Sequence, residues 1–124
     1  MNQRITLAAG VLTAGLGVAL GAFGAHALKD MLVASGRTET YELAVRYQFY
    51  HAFALLITGL LMNQFQAKSI AYAALCFVFG IILFSGSLYV LCFTGVRALG
   101  AVTPIGGVLF IAGWVLLLVG INKK

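Results

Sequence analysis

Six side chains in this sequence have types and positions that could do chemistry: His26, Arg46, Tyr47, His51, Ser85 and Ser87. Neutral imidazole ligates copper or zinc, and two imidazoles from neighbouring helices can ligate haem. Histidine, phenol and hydroxyl groups at membrane depth also build proton relays. Glu42, Arg46 and Tyr50 fall one helical turn apart on one stripe, and Tyr47 and His51 fall on an adjacent stripe. Glu42 ahead of Arg46 is the favourable order for an intrahelical pair. Against this stands a plain structural reading. The two histidines hydrogen-bond loop carbonyls and pin the connection after the first helix, which meets the need of helix ends for partners. That reading weighs more, because a zinc site takes three or four protein ligands and neither acids nor cysteines are placed to complete one. Cys76 and Cys92 sit on one helix, about 24 Å apart by helical rise, and read as core residues. No residue is assigned a catalytic, cofactor-binding or metal-ligating role, and no cofactor is expected.

The elements that must hold these side chains follow from composition. Of 124 residues, 62% are hydrophobic and only 9% are charged; the mean hydropathy is +1.04. A soluble domain carries about 25% charged residues, so a soluble globular domain is excluded. Disorder is excluded by the apolar content and a disulfide scaffold by a count of two cysteines. The net charge of +5 is scattered over loops and termini without a basic face, so nucleic acid is not an expected partner.

A helical span needs about 20 apolar residues to cross a hydrocarbon layer of about 30 Å. Four runs qualify, over residues 5–27, 45–63, 70–93 and 104–121. Backbone groups in lipid must pair within their own segment, and none of the runs alternates as a barrel strand would. The expected fold is all-α: one integral membrane domain over residues 1–124, with four transmembrane helices in an antiparallel bundle. Ala25-His26-Ala27 has the small-x-small form of a signal-peptidase site. The preceding run is longer than a usual signal core, so it is expected to stay as the first span.

Local punctuation supports the count. Thr38, Ser69 and Thr103 stand where N-caps would, with Glu39 and Glu42 in the first turn after Thr38 and Pro104 after Thr103. Residues 28–38 mix Lys29, Asp30 and Arg37 with Met31, Leu32 and Val33, which predicts a short interfacial helix ended by Gly36. Residues 93–103 read as a short loop. Trp114 lies well inside the last span, where its N–H needs a partner such as the hydroxyl of Ser85 or Ser87.

Lipid tails are as apolar as leucine, so membrane helices associate through small residues. Gly17 and Gly21 form a G-x-x-x-G pair that Gly10, Ala14 and Gly24 extend. Gly106, Gly113 and Gly120 recur on nearly one face of the last span. These seams are expected to hold one bundle together; the alternative is that one of them joins a second copy or another membrane protein. Membrane lipids are the remaining partner.

Four spans place both termini on one side. Arg4, Lys68, Lys123 and Lys124 lie there, against Lys29, Arg37, Arg46 and Arg97 on the other. The count of basic residues is therefore tied, four against four, and the positive-inside rule does not decide; the expectation is cytoplasmic termini.

The segments Gly21-Ala22-Phe23-Gly24-Ala25-His26-Ala27-Leu28-Lys29, Tyr47-Gln48-Phe49-Tyr50-His51-Ala52, Leu83-Phe84-Ser85-Gly86-Ser87-Leu88-Tyr89 and Thr103-Pro104-Ile105-Gly106-Gly107, followed by Gly113-Trp114, resemble in order the signatures of the YgdD/YwdK family of small multi-pass membrane proteins. The resemblance covers nearly the whole chain. It implies a four-helix protein of the bacterial inner membrane. It implies no activity, so the expected role is non-enzymatic, as an accessory or membrane-stabilising factor. A small channel or transporter, or a haem or metal protein built on His26 and His51, stands as the alternative.

Overall fold

The computed structural model describes residues 1–123; Lys124, counted above with the terminal bases, lies outside them. The chain is all-α: α1 Gln3–Ala25, α2 Lys29–Ser35, α3 Thr38–Leu61, α4 Lys68–Thr94 and α5 Thr103–Asn122, with a 3-10 helix at Arg97–Ala101 before α5. Three segments are long and apolar enough to cross a membrane: Gln3–Ala25, Lys68–Thr94 and Arg97–Asn122. α3 has 24 residues, about 36 Å by helical rise, but even its most apolar stretch holds Arg46, Gln48 and His51, whose polarity keeps it outside that group.

Helix ends are built differently from the sequence expectation. Thr38 and Thr103 are the first helical residues rather than caps, and Ser69 lies one residue inside α4; Arg37, Val102 and Ala67 take the N-cap positions without side-chain bonds. The side-chain cap that does form belongs to Asn2, whose Oδ1 accepts the Ile5 N–H at 2.9 Å. The displaced hydroxyls turn to tertiary partners where they find any: Thr103 Oγ1 meets Ser87 Oγ at 2.7 Å. The short helix expected between the first two spans is present as α2. It ends at Gly36 with φ 68°, a left-handed residue that glycine adopts without a Cβ clash. Its Leu32 is buried against Tyr41 and Cys92, so α2 is anchored to the long helices. The expected loop at 93–103 holds the 3-10 helix instead.

The four long helices pack in chain order, α1 on α3, α3 on α4 and α4 on α5. The outer two dock through glycine. Gly10, Gly17 and Gly24 of α1 meet Leu56, the Phe49 ring and the Tyr41 ring of α3. Gly106, Gly113 and Gly120 of α5 meet Phe84, Phe77 and Ile70 of α4. In both seams partner numbers fall as glycine numbers rise, so each pair runs in opposite directions. A seven-residue repeat drifts only about 20° around a straight helix, which keeps each row facing one neighbour. The α1 row is thus Gly10–Gly17–Gly24 rather than the expected Gly17–Gly21 pair; a Cβ on Gly21 would sit at an ordinary 3.6 Å from Val45. The inner helices also present hollows: Gly59 receives Leu7 and Gly80 receives Phe110.

Outward faces are apolar on all four helices, with Leu12, Phe53, Phe79 and Val108 each more than half exposed. A methyl group at Gly106 would overlap the Phe84 backbone, which cannot yield as a side-chain tip can. Gly106→Ala is expected to cost about 1–3 kcal/mol, read as a lower unfolding temperature in detergent. Gly15 has open space where a Cβ would go, and Gly15→Ala there should raise stability by about 0.5–1 kcal/mol. Equal effects of the two substitutions would contradict the packing described.

Candidate functional site

His51 lies near the middle of α3 and is buried. Its ring stacks on Phe110 of α5, with centroids 3.5 Å apart and planes within 7°. The Trp114 indole N–H donates to His51 Nε2 at 3.1 Å, and His51 Nδ1 lies 2.9 Å from the Tyr47 carbonyl oxygen. An indole nitrogen only donates and a carbonyl only accepts. The imidazole therefore carries its proton on Nδ1, donates it to Tyr47 O, and is neutral. Tyr47 stacks on Phe84 at 4.7 Å, and Trp114 meets Phe77 edge-on at 5.0 Å. These rings join α3, α4 and α5, and beside them runs an open groove between α3 and α5 that includes Pro104 and Gly107.

A second polar group lies on the other side of α3. Gln48 is buried; its Nε2 donates to the Thr13 carbonyl of α1 at 2.8 Å, and its Oε1 accepts the Tyr89 hydroxyl of α4 at 2.6 Å. One amide thus bridges three helices. The Tyr41 hydroxyl donates to the Leu20 carbonyl of α1, and its ring meets Tyr89 edge-on at 5.4 Å. Ser85 Oγ donates to the Ala44 carbonyl of α3 at 2.6 Å. Ser87, bonded to Thr103 Oγ1, also donates to Phe84 O at 3.0 Å.

The expected cluster is divided by this geometry. Tyr47 and His51 come together, and Ser85 and Ser87 bind the neighbouring helices. His26 and Arg46 stand apart and exposed. His26 caps α1 through its backbone N–H. Gly24 packs on Tyr41, and His51 lies about 15 Å further along α3 by helical rise, on the side facing α5. The two histidines do not form a pair and do not pin residues 28–38; Leu32 anchors that connection. Trp114 finds His51 rather than a serine. Among the described residues no Glu42 oxygen comes within 4.0 Å of an Arg46 nitrogen, so the intrahelical pair is not made. Also among the described residues, no three His, Cys, Asp or Glu side chains gather where they could hold a metal ion.

Sequence reasoning missed Gln48 and left Tyr41 and Tyr89 outside the candidate cluster. Gln48 carried a usable signal, an amide inside an apolar run, since such a group in lipid must find a partner. Ser69 is the opposite case: among the described residues its Oγ is the buried side-chain polar atom without a hydrogen bond.

Long apolar helices with glycine seams and closed interior hydrogen bonds define a small all-helical membrane protein. The chain matches the family described as "Protein of unknown function (DUF423)" over residues 20–107. It is 44% identical to a UPF0382 membrane protein of Staphylococcus epidermidis over 98% of both chains. It is 42% identical to UPF0382 membrane protein SSP2132 of Staphylococcus saprophyticus, over 98% of this chain and 99% of that one. It is 37% identical to UPF0382 membrane protein YwdK of Bacillus subtilis over 98% of both. The protein belongs to this family of membrane proteins, which the signature segments already pointed to. No solved structure matches it.

His51→Ala removes a ring stacked between α3 and α5, the Trp114 hydrogen bond that joins those helices and the bond to Tyr47 O within α3, and is expected to cost about 2–4 kcal/mol. The emission of Trp114, the single tryptophan, should shift, while protease sensitivity of residues 28–38 should not. Gln48→Leu strands the Tyr89 hydroxyl and should cost about 1–3 kcal/mol, without moving the Trp114 emission. A Gln48→Leu protein as stable as the parent would remove Gln48 from its bridging role.

Proposed function

We propose that the protein crosses the bacterial inner membrane four times, with α3 as the fourth crossing and both termini in the cytoplasm. It acts there as a non-enzymatic accessory or membrane-stabilising factor, through contacts with lipids or with another membrane protein. Support for the fourth crossing comes from the seating of α3 between α1 and α4, two helices with membrane-spanning composition. Its acids and Arg46 sit in the first half, beside the interfacial α2, and the stretch from Tyr47 to Leu61 carries no charge.

The observation that carries the accessory role is the closed interior. The buried Gln48, His51, Ser85 and Ser87 spend their hydrogen bonds on neighbouring helices or their own backbone. Stacked rings fill the space between α3, α4 and α5 at the depth of His51. A transport path would need polar groups facing a continuous cavity. What this fold turns outward is large apolar side chains, which suit acyl chains and partner helices.

Two measurements test the reading. With Cys76 and Cys92 replaced by alanine, Ser35→Cys and Asn63→Cys are expected to react with an impermeant maleimide from opposite sides of the membrane, Asn63→Cys from the cytoplasm. Labelling from one side would place α3 outside the bilayer. Proteoliposomes should leak protons and potassium no faster than protein-free vesicles; a flux that scales with protein content would transfer the assignment to a channel.

A further inference from the structure

A cleft of about 250 Å³ opens where the end of α1, α2 and the first turns of α3 meet. Gly21 and Val45 form its inner part and Leu32 of α2 its side, so the walls are apolar. Its polar edge is a single stripe of α3, Thr38, Glu42 and Arg46, each one turn from the next. Glu42 and Arg46 are exposed and do not pair with each other. Opposite charges in reach of one another and left apart are complementary to a zwitterion.

We propose that this cleft seats a phospholipid whose headgroup carries both a phosphate and a primary ammonium, of the phosphatidylethanolamine class. The inference rests on the reading of α3 as a membrane span. The order of groups along α3 matches the order of groups in such a lipid. Thr38 and Glu42, which accept hydrogen bonds, lie toward the water-facing end of the helix. Arg46 lies about 6 Å deeper by helical rise, and the apolar walls continue beside it. A glycerophospholipid placed tail-inward has its ammonium at Glu42 and Thr38, its phosphate at Arg46, level with Gly21 and Val45, and its chains running on past the cleft over the exposed apolar faces of α1 and α3. Guanidinium binds phosphate through paired N–H groups, and a primary ammonium has three N–H donors for carboxylate and hydroxyl oxygens. A quaternary ammonium lacks those donors and is held by open aromatic faces. The aromatic ring at this cleft, Tyr41, is buried against Gly24 with its hydroxyl spent on Leu20. A glycerol headgroup leaves the Glu42 carboxylate without a cation.

Native mass spectrometry of the full chain released from detergent tests the proposal, with ethanolamine, choline and glycerol phospholipids of identical chains offered together. Ethanolamine lipid should be retained about five-fold over the glycerol lipid, the scale expected for an exposed ion pair, and also ahead of the choline lipid. Glu42→Gln should erase that preference while phospholipid still binds. Arg46→Gln should lower the occupancy of every phospholipid. Lys29→Gln, on α2 outside the cleft, should change nothing. Glycerophosphoethanolamine, the headgroup without chains, should not displace the lipid. Equal retention of ethanolamine and glycerol lipids, a preference that survives Glu42→Gln, occupancy indifferent to Arg46→Gln, sensitivity to Lys29→Gln, or displacement by the chain-free headgroup would each overturn the assignment. The cysteine-labelling experiment reports separately on the α3 span, so a failure of that reading and a failure of the lipid site are distinguishable.

Discussion

Everything in this fold depends on filling glycine hollows with large side chains. A helix in lipid gains nothing by hiding leucine from leucine-like surroundings, so attraction must come from close packing. The outer helices meet that demand in the same way. α1 sets Gly10, Gly17 and Gly24 over Leu56, Phe49 and Tyr41; α5 sets Gly106, Gly113 and Gly120 over Phe84, Phe77 and Ile70. The match is one of volume: a missing side chain on one helix makes room for a ring or a branched chain on the next. Gly106 and Gly120 leave no room even for a methyl group without displacing Phe84 or Ile70. Direction follows from the same rows, because a row that fits ring by ring fits in one register.

Hydrogen bonds then distinguish this arrangement from other ways of stacking the same helices. Interhelical hydrogen bonds in membranes contribute modestly, about 0.6–2 kcal/mol each, but an unpartnered amide in hydrocarbon is expensive. Gln48 reaches Thr13 and Tyr89 only when α1 and α4 lie on their present sides of α3. His51 reaches Trp114 only when α5 lies across from it. The polar side chains act mainly against wrong assemblies, and the glycine rows supply most of the attraction in the right one.

The amino-acid sequence carried much of this. Apolar run lengths gave α1, α4 and α5 within two residues at each end but only the later part of α3, Gly36 gave the end of α2, and the Gly106 repeat gave the α5 seam. What it could not carry was which side of α3 meets which neighbour. Both sides of that helix hold polar and aromatic groups, so periodicity alone did not separate His51, which faces α5, from Gln48, which faces α1 and α4. The His26–His51 expectation failed for that reason and because it counted the depth of His51 from Tyr47, although the start signal at Thr38 already placed His51 near the helix centre. The N-caps were each placed one or two residues too late, the helices starting ahead of them at Arg37, Ala67 and Val102, and Thr103 found its partner in Ser87 instead. Gly17 and Gly21 match a familiar pair spacing, but the seam that formed uses the longer repeat, whose hollows fit Phe49 and Tyr41.

The distribution of charge bears on where such a molecule can act. Inside, polarity is neutral and closed: an amide, hydroxyls and an imidazole whose tautomer is fixed by a donor on one nitrogen and an acceptor on the other. Charge is confined to the helix ends, the connections, α2 and the first half of α3. There Glu42 and Arg46 could have satisfied each other at the favourable spacing and do not. A side chain that needs a counter-charge and lacks one inside the protein meets it in its surroundings, which on the proposed crossing of α3 are headgroups and the surfaces of neighbouring proteins. The chemistry available to this fold therefore lies at its rim, between α1, α2 and α3, and the packed centre serves to hold that rim in place.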